Sequence, residues 1–146
     1  MFLEVIAMKK ETCAYCMKGE LMDKFGYLAF ETETSQVIVF KDQSHPGRMI
    51  VAYKKDHVAE IKDLSVEERN AFMDDVCKVA HAIQKAYNLD RINYGAYGDV
   101  LGHLHIHLVP KYKDEFEWNT PFVMNTGNLV SIEKCEEVAN KIKENF

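Results

Sequence analysis

The sequence predicts an α+β domain, with a mainly antiparallel sheet of roughly five strands, one long helix and one C-terminal helix. Two observations lead to this class. Segments with strand patterns follow one another along the chain, and the helical patterns are set apart from them. The 146 residues, 47% of them hydrophobic, suffice for one core, so we expect a single domain over residues 1–146.

Three strands are predicted before the long helix. Residues 26–31 and 36–41 have the composition of strands, and residues 32–35 make the turn between them. Residues 42–47 have the composition of a loop, and residues 48–53 are predicted as the third strand. The sheet therefore begins with three strands in succession.

Two helices are predicted from capping and periodicity. Ser65 and Glu68 form a capping box, and a long amphipathic helix follows that ends near Asn88. Ser131 begins the last helix, and Cys77 is predicted to lie in the core. Apolar residues at helical spacing form the core faces: Phe72, Val76, Val79, Ala80, Ile83 and Tyr87 in the first helix, and Ile132, Cys135, Val138, Ala139 and Ile142 in the second.

The fourth and fifth strands are predicted at residues 91–96 and 102–109, and the fifth carries three histidines. His103, His105 and His107 alternate with apolar residues, so period-two geometry places the three imidazoles on one face. Folding needs the aliphatic face of this strand but not three imidazoles in register. The row therefore indicates chemistry.

Three kinds of chemistry fit this row. Imidazole binds metal ions, acts as a general acid or base, and acts as a nucleophile. A metalloenzyme is thus one hypothesis, and a hydrogen-bonded polar face is the bland alternative. Cys13 and Cys16 form a CxxC pair, which is found in zinc sites and in redox proteins, but no βαβ context supports a redox role.

The composition narrows the classes of partner. The formal net charge is −5 and no basic run exceeds two residues, which argues against broad binding to nucleic acid. No apolar stretch approaches the roughly 20 residues of a membrane span. Residues 1–10 do not resemble a signal peptide and are expected to form a flexible extension. With four cysteines and no export signal, a cytoplasmic location is expected.

The pattern His-φ-His-φ-His-φ-φ at residues 103–109 resembles the signature of the histidine triad (HIT) family of nucleotide hydrolases and transferases. The resemblance extends from the CxxC pair to Trp118, and it implies the HIT fold and a homodimer that extends the sheet. It also implies that His105 is the nucleophile and forms a covalent nucleotidyl-histidine. His103 and His107 would donate to the phosphate or the leaving group.

The resemblance further implies the nucleotide contacts. Asn93 falls where the family has an asparagine that helps to hold the substrate phosphate, and Gly98 lies in the loop whose backbone approaches it. Phe40 is implied in the base pocket, with Tyr15 near it. Asp42 is implied as the acceptor of the ribose hydroxyls.

One pair of residues departs from the family pattern. Asp99 and Val100 stand where many HIT hydrolases carry Gln and then Ser or Thr, which contact the phosphate and the leaving group. An acidic group there is unfavourable beside an anionic substrate unless it is turned away or protonated. The third triad position favours hydrolysis, since one branch of transferases has Gln where this chain has His107.

Zinc-bearing HIT proteins complete a tetrahedral site with two histidines. Here the resemblance implies Cys13, Cys16, His57 and His103 as ligands of a structural zinc, with one extra residue before His57. Residues 118–122 resemble a segment of a diadenosine-polyphosphate-hydrolase-like clade. A hydrophobic lid over the core or the dimer interface is the equal alternative for that segment.

We therefore expect a hydrolase that attacks the α-phosphate of a purine nucleotide, either a dinucleoside polyphosphate or a nucleoside phosphoramidate. Two alternatives stay open. One is a metallohydrolase whose three histidines bind the catalytic metal, and the other is a non-catalytic module that binds zinc and nucleotide.

Overall fold

The computed structural model describes residues 10–146, which form one sheet with helices on both of its faces. The predicted extension over residues 1–10 lies outside the described residues, except that Lys10 begins a 3-10 turn. The elements in chain order are α1 Ala14–Met17, α2 Gly19–Asp23, β1 Gly26–Glu31, β2 Ser35–Phe40, β3 Met49–Tyr53, α3 Val66–Ala86, β4 Arg91–Gly95, β5 His105–Lys111 and α4 Ile132–Glu144, with 3-10 turns at Lys10–Thr12 and Ile61–Asp63.

The sheet has the strand order β1–β2–β3–β5–β4, and every pair of neighbours is antiparallel. This architecture confirms the predicted α+β class and the predicted number of strands. The two strands that are adjacent in space but distant in sequence, β3 and β5, pair Ala52 with His105 and Ile50 with His107. Strand β5, which lies between β3 and the edge strand β4, therefore holds two of the histidines in the sheet.

One face of the sheet is covered by α3 and α4. Ser65 accepts a hydrogen bond from Glu68 N–H and completes the predicted capping box of α3, while Ser131 caps α4. Leu104, Ile106 and Leu108 pack on this face against the two helices. The aliphatic residues that alternate with the three histidines thus belong to the main hydrophobic core.

The other face carries the histidines and a smaller core beneath α1 and α2. Tyr15 from α1 and Met22 from α2 pack against Ile38, Phe40 and Ile50 of the sheet. The sequence did not predict these two helices, because they contain four and five residues and show no full helical period. Lys18 separates them with a φ of 56°.

Several predicted boundaries and burials are wrong in detail. β5 begins at His105 and not at residue 102, so His103 precedes the strand. The C-cap of α3 is Tyr87, one residue before the predicted Asn88. Cys77 is exposed, because it lies on the outer side of α3, and Ile132 is 60% exposed in the first turn of α4.

Residues 112–130, here named the C-terminal strap, contain no helix or strand and run along the loop between β2 and β3. The strap returns to the sheet where Val130 N–H donates to Lys41 O, and Leu129 forms an isolated bridge with Asp42. Its middle part reaches the histidine face. Nowhere in residues 10–146 is a helix both long enough and apolar enough to cross a membrane.

Candidate active site

The three histidines are all buried, and each side chain faces a different partner. His105 and His107 belong to β5, and His103 lies just before it. The predicted common face is present, since all three lie opposite the main core. Their ring nitrogens, however, are directed to a backbone carbonyl, to a guanidinium and to a cysteine–histidine cluster.

His105 is held in one tautomer by the backbone. Its Nδ1 lies 2.6 Å from the carbonyl oxygen of His103, which only accepts, so Nδ1 carries the proton and donates. The lone pair is then on Nε2. Burial lowers the pKa of His105 below its ordinary value, which keeps the ring neutral. The geometry therefore supplies an unprotonated imidazole nitrogen, as a nucleophile requires.

A cavity of about 400 Å³ lies beside His105 and His107. Its walls are mainly aromatic and aliphatic, and two polar residues, Asp99 and Asn125, stand among them. A flat apolar ring with polar edges is the kind of ligand that such a wall accommodates. The remaining lining residues are Tyr15, Phe25, Phe40, Ile50, Tyr97, Val100, Leu101 and Met124.

His107 contacts a buried arginine that the sequence interpretation missed. Arg48 Nη2 lies 3.2 Å from His107 Nδ1, and Arg48 is only 2% exposed. The guanidinium stacks 4.2 Å from the centroid of Phe40 and 5.0 Å from that of Phe122. The signal in the sequence was a lone basic residue at the start of a strand that is otherwise apolar.

The pKa values of this pair follow from burial. Burial lowers the pKa of Arg48 to about 10, while the nearby charges of Asp42 and Glu117 raise it, so the guanidinium keeps its proton at neutral pH. Burial and the Arg48 charge lower the pKa of His107 to about 2. His107 is consequently neutral throughout the physiological range.

The four predicted metal ligands meet behind the cavity. Side-chain ligand atoms of Cys13, Cys16, His57 and His103 all lie within 4.8 Å of one another. His103 Nδ1 is 3.4 Å from Cys13 Sγ and 3.2 Å from His57 Nδ1. Two ligands of one tetrahedral zinc, at about 2.0 and 2.3 Å from it, stand about 3.5 Å apart. The extra residue before His57 does not displace this ligand from the cluster.

The tautomer of His103 also fits a metal ligand. Its Nε2 lies 2.6 Å from Tyr53 O and must donate there, which leaves Nδ1 unprotonated toward the thiols. Two thiols and two imidazole nitrogens are a donor set that zinc prefers. Only His103 of the triad belongs to the cluster. The Nδ1 atoms of His105 and His107 face His103 O and Arg48, so a metal bound by all three histidines would have to use the Nε2 atoms of these two rings.

Asp42 is bound to protein donors on both carboxylate oxygens. Oδ1 accepts from Ser44 N and Oγ, and Oδ2 accepts from Thr126 N at 2.5 Å and Oγ1 at 2.7 Å. Burial raises the pKa of Asp42, but these hydrogen bonds outweigh burial and lower it. The side chain is 1% exposed, so in this conformation Asp42 anchors the strap and does not face the cavity.

The other predicted nucleotide contacts are divided between two clefts. Phe40, Tyr15 and Asp99 line the main cavity, and Gly98 lines a neighbouring cleft of about 250 Å³ with His103 and His105. Asn93 pairs with Val109, which places it on the histidine side of β4, but it borders neither cleft.

The strap closes one end of the site. Glu117 pairs with buried His45 at 2.7 Å, and Lys111 Nζ donates to the carbonyls of Glu117 and Thr120. Beyond this anchor, Phe122 packs edge-on against Tyr97 with ring centroids 6.1 Å apart. Phe122, the last residue of segment 118–122, thus covers Arg48, and its ring centroid lies 6.4 Å from that of His107.

The described chain thus combines an antiparallel five-stranded sheet with a row of histidines, two of which line a largely apolar cavity. The HIT domain family model matches residues 27–114. The chain belongs to the HIT family, which confirms the resemblance noted in its sequence.

Two named relatives are hydrolases. The chain is 28% identical over 112 residues to the asymmetrical bis(5'-nucleosyl)-tetraphosphatase of Schizosaccharomyces pombe, covering 70% of this chain and 61% of that protein. It is 30% identical over 95 residues to the bis(5'-adenosyl)-triphosphatase of Dictyostelium discoideum, covering 62% and 63%. The chain thus spans less than two thirds of the length of either relative.

Solved structures share the fold. A histidine triad protein of Sinorhizobium meliloti matches with a TM-score of 0.79 and 21% identity, covering 88% of this chain and 95% of that one. A zinc-bound histidine triad family protein of Mycobacterium smegmatis matches with a TM-score of 0.66 and 16% identity, covering 94% of each.

Proposed function

We propose that this chain is a nucleotide hydrolase that forms a covalent intermediate on His105. The single observation that carries the proposal is the hydrogen bond from His105 Nδ1 to His103 O, which leaves the Nε2 lone pair available beside the cavity. The names of the two hydrolase relatives support a dinucleoside polyphosphate as substrate. The apolar cavity walls suit the base of a purine nucleotide.

The reaction proceeds in two displacements. His105 Nε2 donates its lone pair to the α-phosphorus, an N–P bond forms, and the bond to the leaving oxygen breaks with its electron pair on that oxygen. Water then attacks the same phosphorus, the N–P bond returns its electrons to Nε2, and a proton from the water is released. The products are a nucleoside monophosphate and the leaving group.

Tyr15 supports the nucleophile from the side of α1. Its ring lies 4.9 Å from the His105 ring and 5.3 Å from the His103 ring, centroid to centroid. This packing restricts rotation of the imidazole and excludes water from its face. We propose that Tyr15 and Phe40 also contact the base, since both line the cavity.

We also propose that the Cys13, Cys16, His57 and His103 cluster holds a structural zinc. The donor set supports this, and so does the zinc in the related Mycobacterium smegmatis protein. The ion would join the N-terminal turn of the chain to the sheet. The residues that surround it, above all Tyr53 through its carbonyl, would keep His103 oriented.

A homodimer joined along β4 is part of the same proposal. β4 is an edge strand of five residues, and Tyr94 on it is 57% exposed. An unpaired edge is available for another strand. Light scattering coupled to size exclusion measures the mass in solution, and a monomer at every concentration would contradict the dimer.

The experiment that tests the nucleophile compares His105→Ala with His81→Ala. His81 is an exposed histidine on α3, so its replacement controls for loss of an imidazole anywhere in the chain. We expect His105→Ala to lower kcat for diadenosine polyphosphate by about a thousandfold or more and to keep the melting temperature near wild type. His81→Ala should leave turnover unchanged.

Rapid acid-free quenching followed by mass spectrometry should find the nucleotidyl adduct on His105 of the wild-type protein. The adduct should be acid-labile and stable in alkali. Turnover that survives in His105→Ala would refute the nucleophile. Binding of nucleotide without hydrolysis of either diadenosine polyphosphates or nucleoside phosphoramidates would instead favour the non-catalytic module.

A further inference from the structure

Arg48 is a buried cation with an incomplete set of partners. Its Nη1 donates to Val123 O at 3.2 Å and its Nη2 points to His107 Nδ1, while the buried Nε has no partner within residues 10–146. The rings of Phe40 and Phe122 cover the guanidinium. Holding a charge in such surroundings costs free energy, so its retention at this place calls for a reason.

The contact with His107 has only one chemical form. A guanidinium has five N–H donors and no acceptor, so His107 Nδ1 must be the acceptor and its proton must be on Nε2. A second proton on His107 would place two cations 3.2 Å apart in a buried site. The groups facing His107 reinforce this, since His105 from the same strand and Arg48 both oppose a positive charge there.

We propose that Arg48 is a positioning residue that fixes His107 as the neutral tautomer with its proton on Nε2. His107 then offers one hydrogen-bond donor of fixed direction at the edge of the cavity. The donor stabilises charge on a phosphoryl oxygen without transferring its proton. This role rests on the proposed hydrolase function, but the tautomer itself is a property of the free protein.

A consequence follows for the leaving group. A phosphate-type leaving group departs with the electron pair of the broken P–O bond on an oxygen that is stable as an anion, so it needs no proton. An amine leaving group takes the electron pair of a P–N bond on nitrogen and must acquire a proton. Neutral His107 is a poor acid, because loss of its Nε2 proton would leave an imidazolate, and Arg48 disfavours the imidazolium that could give up a proton. The site therefore favours nucleotides with phosphate leaving groups over phosphoramidates.

The first test is spectroscopic and needs no substrate. Carbon and nitrogen NMR shifts of histidine-labelled protein distinguish the two tautomers, with His107 assigned by comparison with His107→Gln. We expect wild-type His107 to be neutral, with its proton on Nε2, between pH 5 and 8. A proton on Nδ1, or a cationic ring at pH 7, would overturn the proposal.

The second test uses Arg48→Met, Arg48→Lys and the matched control Arg69→Met on α3. We expect Arg48→Met to allow His107 to adopt either neutral tautomer. The variant should lower kcat for diadenosine polyphosphate by about a hundredfold with little change in KM. Arg48→Lys, which keeps a charged donor, should recover much of kcat, and Arg69→Met should behave as wild type. The ratio of kcat/KM for polyphosphate over phosphoramidate should fall in Arg48→Met.

The outcomes separate this inference from the proposed function. A wild-type protein without turnover but with the Nε2–H tautomer supports the positioning by Arg48 and refutes the hydrolase. An active wild type whose Arg48→Met variant keeps both tautomer and kcat refutes the positioning alone. If Arg48→Met does not fold, the kcat of Arg48→Lys and the tautomer of His107 in the wild-type protein still test the positioning role of Arg48.

Discussion

His103 acts through two different groups of the same residue. Its imidazole belongs to the cluster with the two cysteines and His57. Its backbone carbonyl accepts a hydrogen bond from His105 Nδ1. The ring orientation and the carbonyl orientation are linked by a few covalent bonds. A residue that the sequence indicates as one of three equal histidines thus connects the cysteine–histidine cluster to His105.

At the same scale, Asp42 is predicted to have a stabilising role that can be separated from a role in binding. Asp42→Ala removes the charged acceptor of four hydrogen bonds that Ser44 and Thr126 donate. We expect the free energy of unfolding to fall by about 1–3 kcal/mol, measured by urea denaturation. Thr126→Val should lower it less, because it removes one donor and retains Ser44.

The binding role of Asp42 is tested in parallel. If Asp42 also accepts from ribose hydroxyls, Asp42→Ala should raise KM more for ribonucleotides than for 2′-deoxy analogues. Equal increases for the two sugars would leave Asp42 with the strap alone. For Asp42 Oδ2 to accept from a ribose hydroxyl, the hydrogen bonds that Thr126 donates to this oxygen must first break.

Residues differed in how far the sequence predicted them. The triad and the CxxC pair were predictable because their spacing is specific, and the resemblance to the HIT family implied His57 and His103 as the other members of the cluster. Arg48 and Thr126 were not, since a single arginine at a strand start and a threonine in a loop have many ordinary explanations. Their roles depend on the path of the strap, which no local pattern specifies.

At the scale of elements, β5 separates the main core from the candidate active site. Its aliphatic residues join the main core with residues of α3 and α4, and on the other face His105 contacts Tyr15 of α1. Sequence periodicity predicted the strands and the two longer helices. It did not predict α1 and α2, because short helices next to a metal cluster depend on tertiary contacts and not on a repeating pattern.

A zinc ion bound by the cluster of two cysteines and two histidines should stabilise these two short helices. Purified protein is expected to contain about one zinc per chain, measured by plasma mass spectrometry. Chelation should lower the melting temperature more than it lowers kcat, since a structural metal adds its binding free energy to folding. Cys16→Ser should reproduce the loss of stability, and the exposed Cys77→Ser on α3 is the matched control.

A catalytic metal predicts the opposite order, with activity lost first and stability nearly unchanged. Metal-free protein that melts at the same temperature as the untreated protein would exclude the structural zinc. The cysteines would then be a pair of thiols packed below Tyr15.

At the scale of the whole molecule, the buried histidines make folding depend on pH. The folded state lowers the pKa of His105 and of His107 from the ordinary 6.5. The unfolded chain therefore binds more protons as the pH falls below about 6.5, and the free energy of unfolding must decrease in that range. Above it both states are neutral at these positions, and this contribution is constant.

For His107, whose pKa in the folded state is about 2, we expect the loss to approach about 1.4 kcal/mol per pH unit once the unfolded state is fully protonated, and His105 changes stability in the same direction. Urea denaturation at several pH values between 7 and 5 measures the slope. His107→Gln should reduce that slope, because the variant lacks one imidazole that takes up a proton on unfolding. A wild-type free energy of unfolding that is unchanged or rises toward pH 5 would show that these rings accept protons in the folded state.

The strap and β4 meet at Gly95, which stands opposite His107 in the sheet. A methyl group there would lie 2.5 Å from Cε2 of Tyr97 and 2.7 Å from Cζ of Phe122, closer than atoms can approach. The two rings would have to separate, and Phe122 could no longer cover Arg48. Glycine at position 95 thus lets the Tyr97 and Phe122 rings lie directly against β4, where Phe122 covers Arg48.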